Sequence, residues 1–317
     1  MNKHSKIYIA GHHGMVGSAI WRALKAKGYT NLLGRTSKEL DLRNQAAVNE
    51  FIALEKPDAI IDAAARVGGI LANSEFPYQF LMENMQIQNN LIQAAHVNEV
   101  KKFIFLGSSC IYPKLAAQPL KEEYLLTDSL EPTNEGYAIA KISGVKLCQA
   151  IRKQYKKDFV SFMPTNLYGS NDNFDLKTSH VLPAMLRKFH EAKENKQTSV
   201  TLWGSGTPMR EFLHVDDLAK AIVFAVENKL PENLYNIGTG TDVTIKQLAE
   251  TIQKAVGHKG DIVWDSSKPD GTPRKLLDVS KINKLGWKAE IDLQNGIETT
   301  YNWFLQNLEN FKRVKIS

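Results

Sequence analysis

Short apolar runs alternating with amphipathic stretches constrain the fold of this chain more than any other feature. From the N-terminus the order is "KIYIAG", a helical stretch to about Lys27, "NLLG", a polar stretch and a second helix around "QAAVNEFIALEK". Then come "DAIIDAAA", the long helical pattern "PYQFLMENMQIQNNLIQAAHVNEV", "KFIFLGS", the helix "YAIAKISGVKLCQAIRKQY" and the strand "FVSFMPTNLYG". Strands separated by helices pair in parallel and are covered on both faces, because tight hairpins cannot connect them. The expected fold class is therefore α/β, a Rossmann-type doubly wound parallel sheet over residues 1–169.

Beyond Gly169 the rhythm changes. A polar loop, "SNDNFDLKTSH", precedes a helix and then segments rich in Gly and Pro, "WGSGTPMREF" and "SKPDGTPRKLL". Loops of this length are usually functional or disordered. Residues 170–317 are expected to form mainly a smaller α/β substrate lobe. The helix "HVDDLAKAIVFAVEN" and strand "NLYNIG", within about 211–237, are expected to return to the first lobe.

Composition narrows the function. The 317 residues are 43% hydrophobic and 23% charged, as in soluble globular proteins. The best candidate for a membrane span, "AIIDAAARVGGILA", carries Asp62 and Arg66 and is too short. "MNKHSK" leads straight into a strand with no signal-peptide core, so a cytoplasmic location is expected. The net charge of +6 comes from basic residues scattered along the chain, which argues against nucleic acid as a partner. Cys110 and Cys148 lack metal-ligand spacing, and no metal is expected.

The first strand runs into "GHHGMVGSAI", with Gly11, Gly14 and Gly17 three apart and Met15 and Val16 between them. Glycines here permit a sharp turn, close approach of a pyrophosphate and tight helix packing, while the helix N-terminus favours the anion. This predicts a dinucleotide site. The following region, "NLLGRTSKELDL", offers Arg35 and no acid before Glu39. A cation suits the extra phosphate of NADP, so NADP(H) is the expected cofactor; Arg35 as a solvated loop cation stays open. Asp41 and Leu42 are placed at the adenine pocket.

In "YAIAK", Tyr137 and Lys141 lie four apart, on one helix face. A nearby ammonium is expected to lower the phenol's pKa and make it a usable proton donor. Upstream, "GSSCIYP" ends an apolar strand with Ser108, Ser109 and Cys110. On residues alone Cys110 reads sooner as a small buried apolar side chain beside a strand end. His180 reads sooner as an idle first-turn residue behind Ser179 as N-cap.

Together these motifs resemble the extended short-chain dehydrogenase/reductases. Among them, the chain is similar to the GDP-L-fucose synthase family, 3,5-epimerase/4-reductases of GDP-4-keto-6-deoxy-D-mannose. "SSCIYP", "SHVLPA" and "PDGTPRKLLD" are the narrower markers. The resemblance implies that Ser108 binds the sugar C4 oxygen, Tyr137 transfers the proton, and Lys141 holds the nicotinamide ribose. It implies that Cys110 and His180 are the epimerase acid/base pair, with His180 also bordering the cofactor beside Pro164, Asn166 and Leu167. Both of those groups ordinarily titrate near neutral pH.

Lys188, Trp203, Arg210 and Asp270 are placed by the same resemblance at the GDP-sugar; Trp203 as a core residue of the small lobe stays open. A homodimer is implied too. Two departures stand out: His13 where the family often has a basic residue, and Lys188 where arginine is common, which replaces a fork by a point charge. Rivals are a reductase or epimerase of another GDP-4-keto sugar, such as a deoxyheptose, and a non-catalytic redox sensor. A sensor needs the glycines but not the acid/base groups.

Overall fold

The computed structural model describes residues 1–308 apart from 177 and 269. Pro269, in the last of the narrow motifs, and residues 309–317 of the expected substrate lobe lie outside the described residues.

The main sheet is built from β1 (Ile7–Ala10), β2 (Leu32–Leu33), β3 (Ala59–Asp62), β4 (Lys102–Leu106) and β5 (Asp158–Pro164). Shorter strands follow: β6 (Asn166–Tyr168), β7 (Ser199–Trp203), β8 (Met209–Arg210), β9 (Phe212–His214), β10 (Leu234–Ile237), β11 (Val243–Thr244), β12 (Asp261–Asp265) and β13 (Arg274–Lys275). β10 joins the main sheet, whose six strands run β2-β1-β3-β4-β5-β10, all parallel. β1, β3 and β4 are buried along their whole length, which is why their sequences read as apolar runs without alternation.

Helices α1 (Met15–Ala26), α2 (Gln45–Glu55), α3 (Ile70–Glu75), α4 (Pro77–Val97), α5 (Glu135–Tyr155), α6 (Val181–Glu194), α7 (Val215–Glu227) and α8 (Ile245–Val256) complete the frame. Their ends follow local chemistry. The Asn44 side chain accepts a 3.1 Å bond from Ala47 N–H at the start of α2, and Thr244 with Gln247 forms a capping box on α8. α4 begins at Pro77, whose ring fixes a helical φ where no amide is needed.

From β1 the chain steps outward to β2 and then returns to β3 on the other side of β1. That reversal opens a crevice beyond the carboxyl end of β1, where doubly wound sheets bind ligands. The glycine turn sits there.

A second hydrophobic cluster gathers Tyr168, Phe174, Leu186, Phe189, Leu248, Ile252, Ile297 and Phe304, apart from the core around the main sheet. The two meet at Glu211. Its carboxylate accepts from the backbone N–H of Gly240 at 2.7 Å and of Leu277 at 2.9 Å, and its carbonyl accepts from Asn166 Nδ2 at 2.8 Å. Leu277, Val279, Ile282 and Trp287, late in the chain, pack into the main core. Among the described residues no helix is long and apolar enough to cross a membrane.

Candidate active site

Gly11 has φ +77, a left-handed conformation, and a Cβ there would fall 2.8 Å from the Ala63 carbonyl oxygen. A Cβ on Gly17 would strike the Gly11 carbonyl, so α1 is pressed against the turn. Gly14 is the N-cap of α1, in extended backbone and with no side-chain cap, leaving the first amides of the helix free for an anion. Met15 and Val16 form its first turn. The cradle fits a dinucleotide pyrophosphate.

Arg35 lies just beyond β2. Its Nη2 bonds Glu55 at 3.0 Å, Nη1 reaches the Gly34 carbonyl, and the guanidinium lies 5.3 Å from the Phe51 ring centre. It is thus a partnered cation at the rim of the cofactor crevice. Asp41 is held below the ordinary carboxylate range by its hydrogen bonds with Arg43, while the Leu42 carbonyl is fixed by Asn90 Nδ2 at 2.9 Å. At the far end of the crevice Pro164 closes β5, Thr165 breaks the strand, and Asn166 and Leu167 begin β6.

β4 delivers the reacting groups. After Leu106 and Gly107, Ser108 is extended and caps the single 3₁₀ turn Ser109–Ile111, its oxygen accepting from Cys110 N–H at 3.4 Å. Buried Tyr112 anchors this turn by donating a 2.6 Å bond to Asn236 Oδ1 on β10. From α5, Lys141 donates to the Leu106 carbonyl at 2.9 Å, with its Nζ 5.8 Å from the Tyr137 ring centre. Ser108, Cys110, Tyr137 and Lys141 therefore meet where β4, the 3₁₀ turn and α5 converge.

The protonation states differ from the sequence expectation. Burial raises the Tyr137 phenol, and the nearby Asp62 carboxylate adds to the rise, so it is held protonated; the expected depression by Lys141 is overridden. Burial likewise raises the Cys110 thiol, while it lowers His180 and Lys141. Cys110, only 5% exposed, thus rests as a thiol and His180 as a neutral imidazole.

His180 arrives from the second lobe. It is itself the N-cap of α6, with no capping bond from its side chain, and the Ser179 hydroxyl is enclosed without a partner. The alternative with Ser179 as N-cap is thereby corrected. The ring is open to solvent yet walled by enough protein to disfavour its cation. Its loop docks on the segment after β3, where Gly69 N–H donates to the Thr178 carbonyl at 3.1 Å. Among the described residues no hydrogen bond links His180 to the Cys110 group.

In the second lobe Trp203 terminates β7 and is 60% exposed, which corrects its reading as a core residue. Two ammonium groups flank the ring: Lys188 at 5.9 Å and Lys268 at 5.8 Å from its centre. Lys188 also reaches the Thr201 carbonyl at 3.2 Å. Asp270 is tied to Ser205 by bonds of 2.7 and 2.8 Å and acts electrostatically on Arg210. These four residues lie on neighbouring elements of the second lobe.

Sequence reasoning missed three groups. Lys268 was lost in a polar loop. Lys275 ends the short strand β13 (Arg274–Lys275), in register with Arg210, and is the leading positive charge on Cys110. Asp62, at the end of β3, is 1% exposed and looked only like an interruption of an apolar run.

A fold of this topology with a glycine turn at its switch point and a Ser/Tyr/Lys group over it defines a dinucleotide-dependent dehydrogenase or epimerase. The chain belongs to the NAD dependent epimerase/dehydratase family, whose model matches residues 7–238. It is similar to GDP-L-fucose synthase of Escherichia coli K12, 54% identical over 316 residues, covering 97% of this chain and 98% of that protein. Among solved structures it matches a GDP-6-OMe-4-keto-L-xylo-heptose reductase from C. jejuni, with TM-score 0.92, 39% identity, and 96% and 99% of the two chains covered. A GDP-L-fucose synthetase from Naegleria fowleri bound to NADP matches with TM-score 0.91 and 29% identity, covering 99% of this chain and 96% of that one.

Proposed function

We infer that this chain works as a GDP-L-fucose synthase, an NADP-dependent oxidoreductase with epimerase activity. It epimerises GDP-4-keto-6-deoxy-D-mannose at C3 and C5 and then reduces C4. The observation that carries this reading is a buried thiol, Cys110, set beside the Ser108, Tyr137 and Lys141 group. A plain ketoreductase needs the last three and has no use for the first. Greater identity to the E. coli synthase than to the heptose reductase favours the deoxyhexose.

A ketone at C4 acidifies the hydrogens on C3 and C5. Cys110 and His180 act as the base and acid that remove each proton and return one to the opposite face. Their resting forms, thiol and neutral imidazole, carry the same number of protons as thiolate and imidazolium, so the pair starts each half-cycle with one proton to give and one site to receive. Ser108 and Tyr137 donate hydrogen bonds to the C4 oxygen as negative charge grows there. Gly11, Gly14 and Gly17 would hold the pyrophosphate of NADPH and Arg35 would take its 2′-phosphate, and the bound cofactor would supply the hydride. Tyr137, held protonated, gives its proton to the C4 oxygen, and Lys141 supports it with a positive charge. Trp203, Lys188, Arg210 and Asp270 grip the GDP moiety.

Residues 1–169 with 211–237 serve as the cofactor-binding unit and 170–317 mainly as the substrate unit, in a cytoplasmic homodimer. Size-exclusion chromatography with light scattering tests the dimer, and a monomer mass would reject it. The reaction itself is tested by incubating the protein with GDP-4-keto-6-deoxymannose and NADPH in deuterated water and taking the proton NMR spectrum of the product. Deuterium at both C3 and C5 is expected; a reduced product without it would leave only a 4-ketoreductase. Cys110→Ser should suppress the exchange while hydride transfer to a ketosugar persists.

A further inference from the structure

Asp62 closes β3 between Ala10 of β1 and Phe105 of β4, directly under the glycine turn. Its Oδ1 accepts from Ala64 N–H at 3.2 Å, while Oδ2 is enclosed with no hydrogen-bond partner. An ionisable group left in this way inside a sheet is costly, and apolar residues fill the rest of the strand. Lys141 is equally enclosed, at 3% exposure, and spends one proton on the Leu106 carbonyl. Its Nζ lies 4.8 Å from the centre of the Phe105 ring, on the strand next to Asp62. Among the described residues Lys141 closes no ion pair, and Asp62 is its leading opposite charge, as Lys141 is for Asp62.

We propose that Asp62 is a positioning residue of the reducing site: its buried carboxylate keeps Lys141 an ammonium and, through it, supports Tyr137. The proposal rests on the roles given above to Tyr137 and Lys141. Burial pulls Lys141 toward its neutral amine, which could neither hold ribose hydroxyls as a cation nor offset charge on the phenol; Asp62 opposes that pull. The charged and titratable groups that feel Asp62 are Tyr8 from β1 and Tyr137, Lys141 and Cys148 from α5. Lys141 is therefore the one cation among them.

The sign of the pH effect follows. Removing the carboxylate lowers the pKa of Lys141, and it also lowers that of Tyr137, whose anion Asp62 disfavours. Both changes end activity at a lower pH. In Asp62→Asn the alkaline limb of kcat for reduction should move down by about one pH unit, a typical effect of one buried charge on another. NADP⁺ binding measured by calorimetry from pH 6 to 9.5, which involves no turnover, should weaken at correspondingly lower pH. In a Lys141→Met background, Asp62→Asn should leave the pH dependence of NADP⁺ binding unchanged, because the ribose no longer meets an ammonium that Asp62 can sustain.

Superimposable wild-type and Asp62→Asn profiles with unchanged binding would overturn the proposal, and so would a shift in NADP⁺ binding that persists without Lys141. If circular dichroism shows Asp62→Asn misfolded, Asp62→Leu, which suits an apolar strand end, replaces it in the same measurements. Tyr137→Phe separates the two levels. Wild-type reduction by that variant sinks the underlying reading, whereas an inactive Tyr137→Phe with a normal Asp62→Asn profile sinks only the part given to Asp62.

Discussion

Lys275 lies in register with Arg210 across the parallel strands β13 and β8, and this pairing carries positive charge from the second lobe to the thiol of Cys110. Each guanidinium or ammonium disfavours the other, and neither closes an ion pair among the described residues. Two adjacent cations, eased by Asp270 and Glu131 without a direct ion pair, suit a diphosphate on one side and a forming thiolate on the other.

Lys275→Met should therefore act on epimerisation before reduction. Burial raises the Cys110 thiol and Lys275 is the largest influence lowering it, so its removal leaves less thiolate at neutral pH. Deuterium exchange at C3 and C5 should slow by about 10- to 100-fold, within the range of a general acid/base contribution, and its rising limb should move to higher pH. Exchange at the wild-type rate would deny Lys275 this influence.

To turn its guanidinium toward a 2′-phosphate, Arg35 would at most give up its contact with Glu55. The pair is partly exposed, so breaking it costs less than about 1 kcal/mol, whereas a guanidinium–phosphate bond at a crevice rim returns about 1.5–3 kcal/mol. Arg35→Ala should raise KM for NADPH by about tenfold and leave that for NADH unchanged. An unchanged ratio of the two would show that Arg35 does not select the cofactor.

Because Trp203 packs into neither core, Trp203→Ala should alter stability by no more than about 0.5 kcal/mol. Loss of a flat face between two ammonium groups should weaken GDP by about tenfold in a fluorescence titration, with kcat nearly unchanged. A large drop in melting temperature would place the ring in the packing instead.

Asp62 should be a burden on the folded state. Its carboxyl is pushed up to about 6 by burial, above its unfolded value, so the native state binds more protons between about pH 4 and 6 and wild-type stability falls as pH rises through that window. Asp62→Asn removes this loss. In urea unfolding at pH 7 the variant should be more stable by up to about 3 kcal/mol, and near pH 4 the difference should vanish. Asp172, pushed up to about 7, slopes the same way in both proteins and cancels in the comparison.

Much of this was legible in the residues. The parallel sheet, the glycine turn and the Tyr137/Lys141 face follow from patterns within a few residues of each other, where backbone geometry leaves little choice. Trp203 was also readable: in "SVTLW" the strand period buries Val200 and Leu202 and turns Thr201 and Trp203 outward. Lys275 was not, because its meeting with Cys110 depends on how a short strand of the second lobe docks over the first. The phenol of Tyr137 was given the wrong sign because a sequence displays the neighbouring ammonium but hides the depth of burial. Asp62 was overlooked for a related reason: a charge in an apolar run looks like a flaw until its surroundings are known.

The sixth strand of the main sheet is supplied by β10, from well past the point where the first half seems complete. A fragment cut after residue 169 would keep the whole glycine turn and the whole Tyr137/Lys141 helix, yet leave β5 as a bare edge ready to pair with another molecule. Recombining substrate lobes between relatives must therefore transplant around Leu213–Ile237, keeping that segment with its parent sheet.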